Sequence, residues 1–534
     1  MDETLLRRNL EALRPKNPSL VARLEMLRPD GTYAESRRAR SGHVVPVFSG
    51  GAAMHTLYDV GREAESLLSS AATAGFALFA GIGSGAHIAR FLSREDGPRA
   101  VAVEAGLGPL VSLFSVVDLS DLLAHPRLVI VAEPEAVSDA IISSYLPALH
   151  GGFSCVPLRP WCDRFPEAWA AVERGTRVAI DAAAADVSTQ AHFGALWFRN
   201  CLRNLGIASR YPGTLPNTHG KKVAAVLAAG PSLEEAIEGI TRDRRDLYVV
   251  ACDTAYPALV SSGIEPDMIV SIDAQGISRS HVARGVPPGS TVVLDVCGNP
   301  AFAEAAERAK ANLVVAAGGH PLARFAAGFS PLPRLDTSSG TVAVAALDVV
   351  RSLGFRIVRI AGADFSYVGG KPYARGTYLS DLYDGTSTRT ETAETLYAAL
   401  TFRSPVERDR ARNGRVTYRT AVLTSYRAAF DRFLSGAGLS TQAGVPAPRL
   451  DARPLWSDAD IRPFNFSGFL DFYARALEEI DVRRPEAYPA FVTLLPLAAA
   501  RARETGSLDR GVDAGELIRL ALDVIAGYTK PHEE

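Results

Sequence analysis

Cysteine is scarce in this chain of 534 residues. There are five, Cys155, Cys162, Cys201, Cys252 and Cys297, and no two fall in a C-x-x-C spacing. That spacing and the odd count argue against a thiolate zinc site and against a disulfide framework, so free thiols in a reducing compartment are expected. Long apolar runs are also missing. No unbroken stretch reaches the ~18 residues of a membrane span. The opening MDETLLRRNLEALRPKNPSL alternates charge and has no apolar signal core. A soluble cytoplasmic protein without a membrane partner is therefore expected. Nor is there a surplus of either charge: 57 Lys and Arg stand against 59 Asp and Glu, net −2. A general nucleic-acid binder needs a basic excess to neutralise phosphates, so that class is disfavoured. Short-period repeats and low-complexity tracts are absent as well.

What is present suits several hydrophobic cores: 47% of the residues are hydrophobic and 22% charged. At about 100–200 residues per domain, two to four domains are expected. The pattern divides the chain into 1–210, 211–395 and 396–534. In the first part, apolar strands at 76–80, 100–103 and 128–131 alternate with helices, and an amphipathic AHFGALWFRNCLRNL closes it. The Pro-, Gly- and Asn-rich YPGTLPNTHGKK, 211–222, marks a break. Alternation restarts with strands at 223–228, 247–252, 268–272, 291–296, 312–316 and 356–361. After 395, segments such as SGFLDFYARALEEI and AGELIRLALDVIAGY carry apolar residues at helical spacing, joined by the Pro-rich GVPAPRLDARPLW. The expected fold class is α/β, with two Rossmann-like doubly wound units and a C-terminal helical region.

In the first unit, Gly81, Gly83 and Gly85 lie between a strand and a helix, and Glu104 ends the next strand. That placement frees backbone N–H groups for an anion and offers a carboxylate to a ribose hydroxyl, as S-adenosylmethionine or a dinucleotide would need. A tight turn needs the same glycines for steric reasons alone, and the full GxGxxG spacing is lacking. The structural turn is the preferred reading.

The second unit carries more chemistry. After its first strand come Gly230, Pro231 and Ser232, with Ser232 and Glu235 spaced as a capping box. Later strands end in Asp253 and Asp273. Thr337, Ser338, Ser339 and Gly340 precede a helix, and the last strand leads to Asp364. Open parallel sheets bind ligands beyond the carboxyl ends of their strands, so these groups should share one rim and form a nucleotide-type site. The segment AGADFSYVGGKPYARG then places Tyr367, Lys371, Tyr373 and Arg375 around the Gly369-Gly370 pair. A loop folding back there would set phenols and a lysine over the cleft, suited to stabilising a leaving phosphate.

The stretches AAGPSLEEAI, ACDTAYPALVSSGIEPDMIVSID, SSGTVAVAALDVVRSLG and IAGADFSYVGGKPYARG resemble the motility accessory factor (Maf) family of flagellin glycosyltransferases. That family shares its central domain with archaeal 6-hydroxymethyl-7,8-dihydropterin diphosphokinases (MptE-like). LFAGIGSGAHI, AVEAG and a W-x-x-N-x-x-x-N helix extend the resemblance to most of residues 75–380. It implies a central domain similar to bacterial sialyltransferases. The implied reaction moves a nonulosonic acid of pseudaminic or legionaminic type from a CMP-sugar to Ser or Thr of flagellin. It further implies donor binding by Gly230, Pro231, Ser232, Asp253, Asp273, Ser338, Ser339 and Gly340, and catalysis involving Asp364, Tyr367, Lys371 and Tyr373. No tightly bound cofactor and no metal site are expected on this reading.

Two departures stand out. Tyr373 replaces a histidine common in the family loop. The general-base histidine that sialyltransferases place after this loop has no counterpart except His532; His219 and His320 lie upstream, and Asp273 or Asp381 is a further candidate. The base is left unassigned. Two alternatives remain: an ATP-dependent pterin diphosphokinase holding Mg²⁺ through Asp253, Asp273 and Asp364, and a non-catalytic flagellar assembly factor.

Overall fold

The computed structural model describes residues 2–410, 414–441, 456–482 and 485–529. The proline-rich connection lies outside these residues except for Trp456, as does His532. The chain divides into two compact units, 1–194 with 481–485 and 495–521, and 195–480 with 486–494 and 522–534. The segments after 395, read from sequence as one helical region, are thus shared between the two units.

The first unit opens with two helices, Glu3–Leu13 and Pro18–Glu25, followed by an antiparallel hairpin, β1 (Tyr33–Arg38) and β2 (Val44–Phe48). Its main sheet has four parallel strands: β3 (Phe76–Ala80), β4 (Arg99–Val103), β5 (Leu128–Val131) and β6 (Phe153–Pro157), in the order β5-β4-β3-β6. Every residue of β3 is buried, as expected for a parallel strand covered on both faces, which reads as a continuous apolar run rather than an alternation. The hairpin and β6 escape the sequence pattern. FSCVP is short, mixed and ends in proline, so nothing in its spacing marks a strand.

The second unit holds six parallel strands: β7 (Val223–Leu227), β8 (Leu247–Cys252), β9 (Met268–Ser271), β10 (Thr291–Asp295), β11 (Asn312–Ala316) and β12 (Ile357–Ala361). The order is β11-β10-β9-β8-β7-β12. All six fall where the sequence places strands, to within a residue or two. In both units the chain steps outward from the first strand and then returns to add the last strand on that strand's other side. The order therefore reverses beside β3 in one unit and beside β7 in the other, and a reversal of this kind opens a crevice at the carboxyl ends of the strands.

Two elements differ from expectation. The helix read at AHFGALWFRNCLRNL is the end of one helix running Pro166–Arg210, 45 residues long. Its alanine-rich centre, AIDAAAADV, has high helix propensity but little amphipathic signal. The region after 395 also contributes β14 (Glu407–Arg410) and β15 (Val416–Arg419), which join β13 (Tyr367–Val368) in a small antiparallel sheet ordered β13-β15-β14. All four residues of β14 are exposed, so it carries no apolar pattern; its position follows from pairing with β15.

Candidate functional site

The glycine turn after β7 is built by hydrogen bonds to the far end of β12. Gly230 N donates to Gly362 O at 2.8 Å, and Ser232 N donates to Asp364 Oδ2 at 2.8 Å. Gly362 N in turn donates to the Ser232 hydroxyl at 3.1 Å. The expected capping box is absent. Ser232 is the first residue of helix Ser232–Arg242, with Pro231 before it and no side-chain cap of its own. Its hydroxyl is committed to Gly362, and the Asp364 carboxylate caps the helix from the neighbouring strand. Glu235 pairs with Arg415 at 2.8 Å instead. An anion already sits at this N-terminus, and Glu234 and Glu235 add negative charge beside it, so a phosphate gains little there. A Cβ on Gly230 would overlap Asp364, which is why this close approach needs glycine.

Phe365 follows Asp364 with φ +47°, a left-handed conformation that a bulky residue seldom adopts. Its ring packs on Phe430 at 5.2 Å between centroids. The turn at Phe365 lets Asp364 point back to Ser232 while the chain proceeds into β13. From there the loop is pinned at several points. Gly369 N donates to Val416 O at 2.7 Å, and Ala374 N donates to Ala229 O at 2.8 Å. Lys371 forms an ion pair with Glu234, which also accepts from Arg375 N at 2.7 Å. Burial alone would raise the Glu234 carboxyl; Lys371 and the Arg375 amide outweigh it and hold it below its ordinary value. Lys371 thus clamps the loop to the start of helix Ser232–Arg242.

The loop carries Tyr373 to the rim. Tyr373 is 36% exposed, but its surroundings still push the phenol up: partial desolvation first, then Tyr367, Asp253 and Asp273, against Arg403. Asp253 itself is buried, 1% exposed. Thr254 N donates to its Oδ1 at 2.7 Å and the Ser271 hydroxyl to its Oδ2 at 2.8 Å. Burial raises its carboxyl, and His281 offsets part of that. His281 faces both Asp253 and Asp273; burial lowers its imidazole while the two carboxylates pull it back up.

The structure therefore gathers Asp253, Asp273, Tyr367 and Tyr373, and adds two groups that the sequence reading missed. His281 lies in SRSHVARG, eight residues past Asp273, whereas the histidines weighed from the sequence were His219, His320 and His532. Asp295 ends β10, buried and raised to about 7 by that burial against the Cys297 amide. It could have been found as the next strand-end carboxylate in the series. Asp295 and Thr337 flank Gly318 so closely that no side chain fits there.

The other expected positions are more self-contained. Ser338 bonds Asp336 through its amide at 3.0 Å and its hydroxyl at 2.6 Å. The Ser339 hydroxyl accepts from Thr341 N at 3.3 Å. Gly340 has φ +68° and closes the turn onto Thr337. Among the described residues no hydrogen bond joins this turn to Asp253, Asp273 or Tyr373. His320 accepts from Leu322 N at 3.2 Å and packs edge-on to Trp197, which fits a helix cap. Asp381 lies 3.8 Å from Arg284. The W-x-x-N-x-x-x-N helix has a structural role: Asn200 donates to Ala274 O and Cys297 O, and Asn204 to Val296 O and Gly298 O. Spaced one helical turn apart, the two amides hold the loops after β9 and β10. Among the described residues no group of three His, Cys, Asp or Glu side chains could hold a metal ion.

In the first unit the turn glycines are packed tightly against other side chains. Side chains on Gly81, Gly83 or Gly85 would run into Trp161, His55 and Leu122 respectively, and all three glycines have positive φ. Glu104 is fully buried. It accepts from Trp161 Nε1 at 2.5 Å, Ala105 N at 2.9 Å and the Tyr33 hydroxyl at 3.2 Å. Burial raises its carboxyl to about 7 despite these donors. Packing thus accounts for the three glycines and for the Glu104 carboxylate, while Ser84, Gly85 and Ala86 also line an open cavity with His43, Arg90 and Asp121.

Residues 199–370 match the family model described as 6-hydroxymethylpterin diphosphokinase MptE-like. An uncharacterized protein of Treponema pallidum (strain Nichols) is 36% identical over 216 residues, covering 40% of this chain and 69% of the relative. A second from the same organism is 40% identical over 171 residues, 32% of this chain and 81% of the relative. A solved structure, that of MAf glycosyltransferase from Magnetospirillum magneticum AMB-1, superposes with a TM-score of 0.55 at 17% identity, over 99% of this chain and 97% of that one. The chain belongs to one family with these Treponema proteins and carries an MptE-like domain. At that identity the solved structure establishes the shared fold. The MptE-like segment holds Gly230, Asp253, Asp273, His281 and Asp364, whereas Tyr373 and Arg403 lie just beyond it.

Proposed function

We propose that this protein is a cytoplasmic glycosyltransferase that moves a nonulosonic acid, of pseudaminic or legionaminic type, from a CMP-sugar to Ser or Thr hydroxyls of flagellin, and so serves flagellum assembly and motility. The observation that carries the reading is the Tyr367–Gly376 loop, which is folded back and clamped so that Tyr373 comes near Asp253 and Asp273 beyond the carboxyl ends of β8 and β9. In this reaction the acceptor oxygen attacks the anomeric carbon from the face opposite the phosphate. The bond from that carbon to the phosphate oxygen breaks, and the electron pair leaves with CMP. A phenol kept protonated by its surroundings can donate to that oxygen as charge develops. Asp253, Asp273 and the Ser338–Gly340 turn would hold the donor, with Gly230, Pro231 and Ser232 forming the floor beside it. Asp364 and Lys371 shape the site by capping the helix and clamping the loop. The shared fold with a MAf glycosyltransferase supports the same reading.

The family model's description favours a second reading, an ATP-dependent pterin diphosphokinase. Its three expected Mg²⁺ ligands do not gather: Asp364 is spent on Ser232 N and Asp253 on Ser271 and Thr254. A thermal-shift panel separates the two. A ligand at ~100 times its Kd adds ~2.7 kcal/mol of stability. Stabilisation by CMP that is lost in Asp253→Ala supports the transferase, to be followed by transfer assays with CMP-nonulosonates and flagellin. Stabilisation by ATP with Mg²⁺ but not by CMP overturns it.

A further inference from the structure

One short turn carries two polar atoms that the protein leaves unpaired. The 3₁₀ turn Gly276–Val282 follows Asp273 and packs against the Asp253–Ala255 turn and against helices Tyr256–Ser261 and Ala301–Ala309. Ser278 and His281 are both buried in it, and neither Ser278 Oγ nor His281 Nδ1 has a hydrogen-bond partner. A spacing of three places them on the same face of a 3₁₀ turn. Buried polar groups are nearly always paired, so two orphans together on the rim of a cleft point to a working role.

The groups around His281 are mostly committed. Asp253 and Asp273 supply its electrostatic field. Tyr378 presents its ring edge-on at 6.2 Å. The Tyr256 hydroxyl donates to Gly285 O at 2.8 Å, and Arg284 is paired with Asp381. On helix Ala301–Ala309, Glu304 and Glu307 are paired with Arg203 and Arg210. Nδ1 is enclosed, which leaves Nε2 as the nitrogen a ligand can meet.

Resting on the transferase reading above, we propose that His281 is the base that takes the acceptor hydroxyl's proton, with Ser278 as its positioning residue. On this assignment the Ser278 hydroxyl oxygen accepts from Nδ1–H in the working state. That fixes the tautomer that leaves the Nε2 lone pair free. As the acceptor oxygen bonds to the anomeric carbon, its proton moves to Nε2 and the donor's phosphate departs with the electron pair as CMP. The imidazolium so formed lies in the field of Asp253 and Asp273, and returns its proton to solvent after release. Burial keeps the resting imidazole neutral and therefore competent to accept.

The test uses the full chain with a CMP-nonulosonate and flagellin. His281→Gln and His281→Asn should each lower kcat at least ~100-fold, while CMP affinity by calorimetry stays within twofold. Both should lose the acidic limb of the pH–rate profile that the unaltered protein shows. Ser278→Ala should lower kcat by about tenfold and shift that limb, without changing donor KM. If either His281 variant keeps a third or more of kcat with the limb intact, or the unaltered protein has no such limb, His281 is not the base. That profile needs no variant, so a misfolded substitution does not shield the proposal. An unaltered protein that binds CMP but transfers from no CMP-sugar overturns the transferase reading instead, and this assignment with it.

Discussion

The two parallel sheets begin from one device. In each, the first strand runs into a glycine turn at the point where the strand order reverses, and a neighbouring strand ends in a carboxylate. Around β3 the turn glycines pack against Trp161, His55 and Leu122, and Glu104 accepts from Trp161, Ala105 and Tyr33. Around β7 the turn is closed by Asp364, but the rim beyond it brings Asp253 and Asp273 near both His281 and Tyr373. The same local signal thus marks a packing solution in one unit and a candidate reaction site in the other. What separates them is the identity of the groups that arrive from distant parts of the chain.

The sharpest test exchanges matched carboxylates. Asp253→Asn should reduce transfer at least ~100-fold while leaving the melting temperature unchanged or higher, since it removes a buried charge. Glu104→Gln should leave transfer within about twofold. Equal losses in both would erase the functional distinction between the sheets.

Next in size is a steric comparison. Gly81→Ala puts a Cβ against the Trp161 ring at φ +90°. Strain and overlap together should cost about 3 kcal/mol in denaturant unfolding. Gly370→Ala has φ +77° but open space, so only the backbone cost of about 1 kcal/mol applies. Similar losses would mean that Trp161 yields easily.

Glu104 also predicts a pH dependence whose sign differs from that of an ordinary paired carboxylate. Its carboxyl is raised from 4.5 to about 7 in the fold, so between those values the folded chain holds a proton that the unfolded chain has released. Stability contributed by the neutral acid is complete below about pH 4.5 and is lost as pH rises to about 7, a change of about 3 kcal/mol. Urea midpoints at pH 5 and pH 8 should show it, and Glu104→Gln should reduce it, leaving the contribution of Asp295, which burial also raises to about 7. A wild-type curve already flat across that window means Glu104 is ionised in place.

The smallest effect concerns the loop clamp. Lys371→Ala removes a partly exposed pair, so it should cost under ~1 kcal/mol of stability. Because that pair holds the loop bearing Tyr373, transfer should fall by more than the stability change implies. A loss of stability with full activity would show that the Val416 and Ala229 bonds alone position the loop.

Much of this fold is legible in the chain because buried parallel strands are continuous apolar runs. All six strands of the second sheet, and three of four in the first, announce themselves this way. The strand-end residues Asp253, Asp273 and Asp364 follow directly, since the ends of such runs share one rim. Where the signal fails, the reason is physical. β14 is exposed and charged, and β6 is short and mixed, so pairing rather than periodicity defines them. His281 sits in a loop, where no periodicity exists to place it.

The sequence by itself determined the alternation of strands and helices, the scarcity of disulfide-forming cysteines, and which carboxylates stand at strand ends, because these depend on local burial and spacing. Only the tertiary structure decided that Asp364 caps Ser232–Arg242, that Lys371 is a clamp, that Glu104 is enclosed, and that His281 joins Asp253 and Asp273. All but the meeting of His281 with Asp253 and Asp273 close a long loop of chain. Each partner is chosen by packing in three dimensions, which no stretch of neighbouring residues encodes.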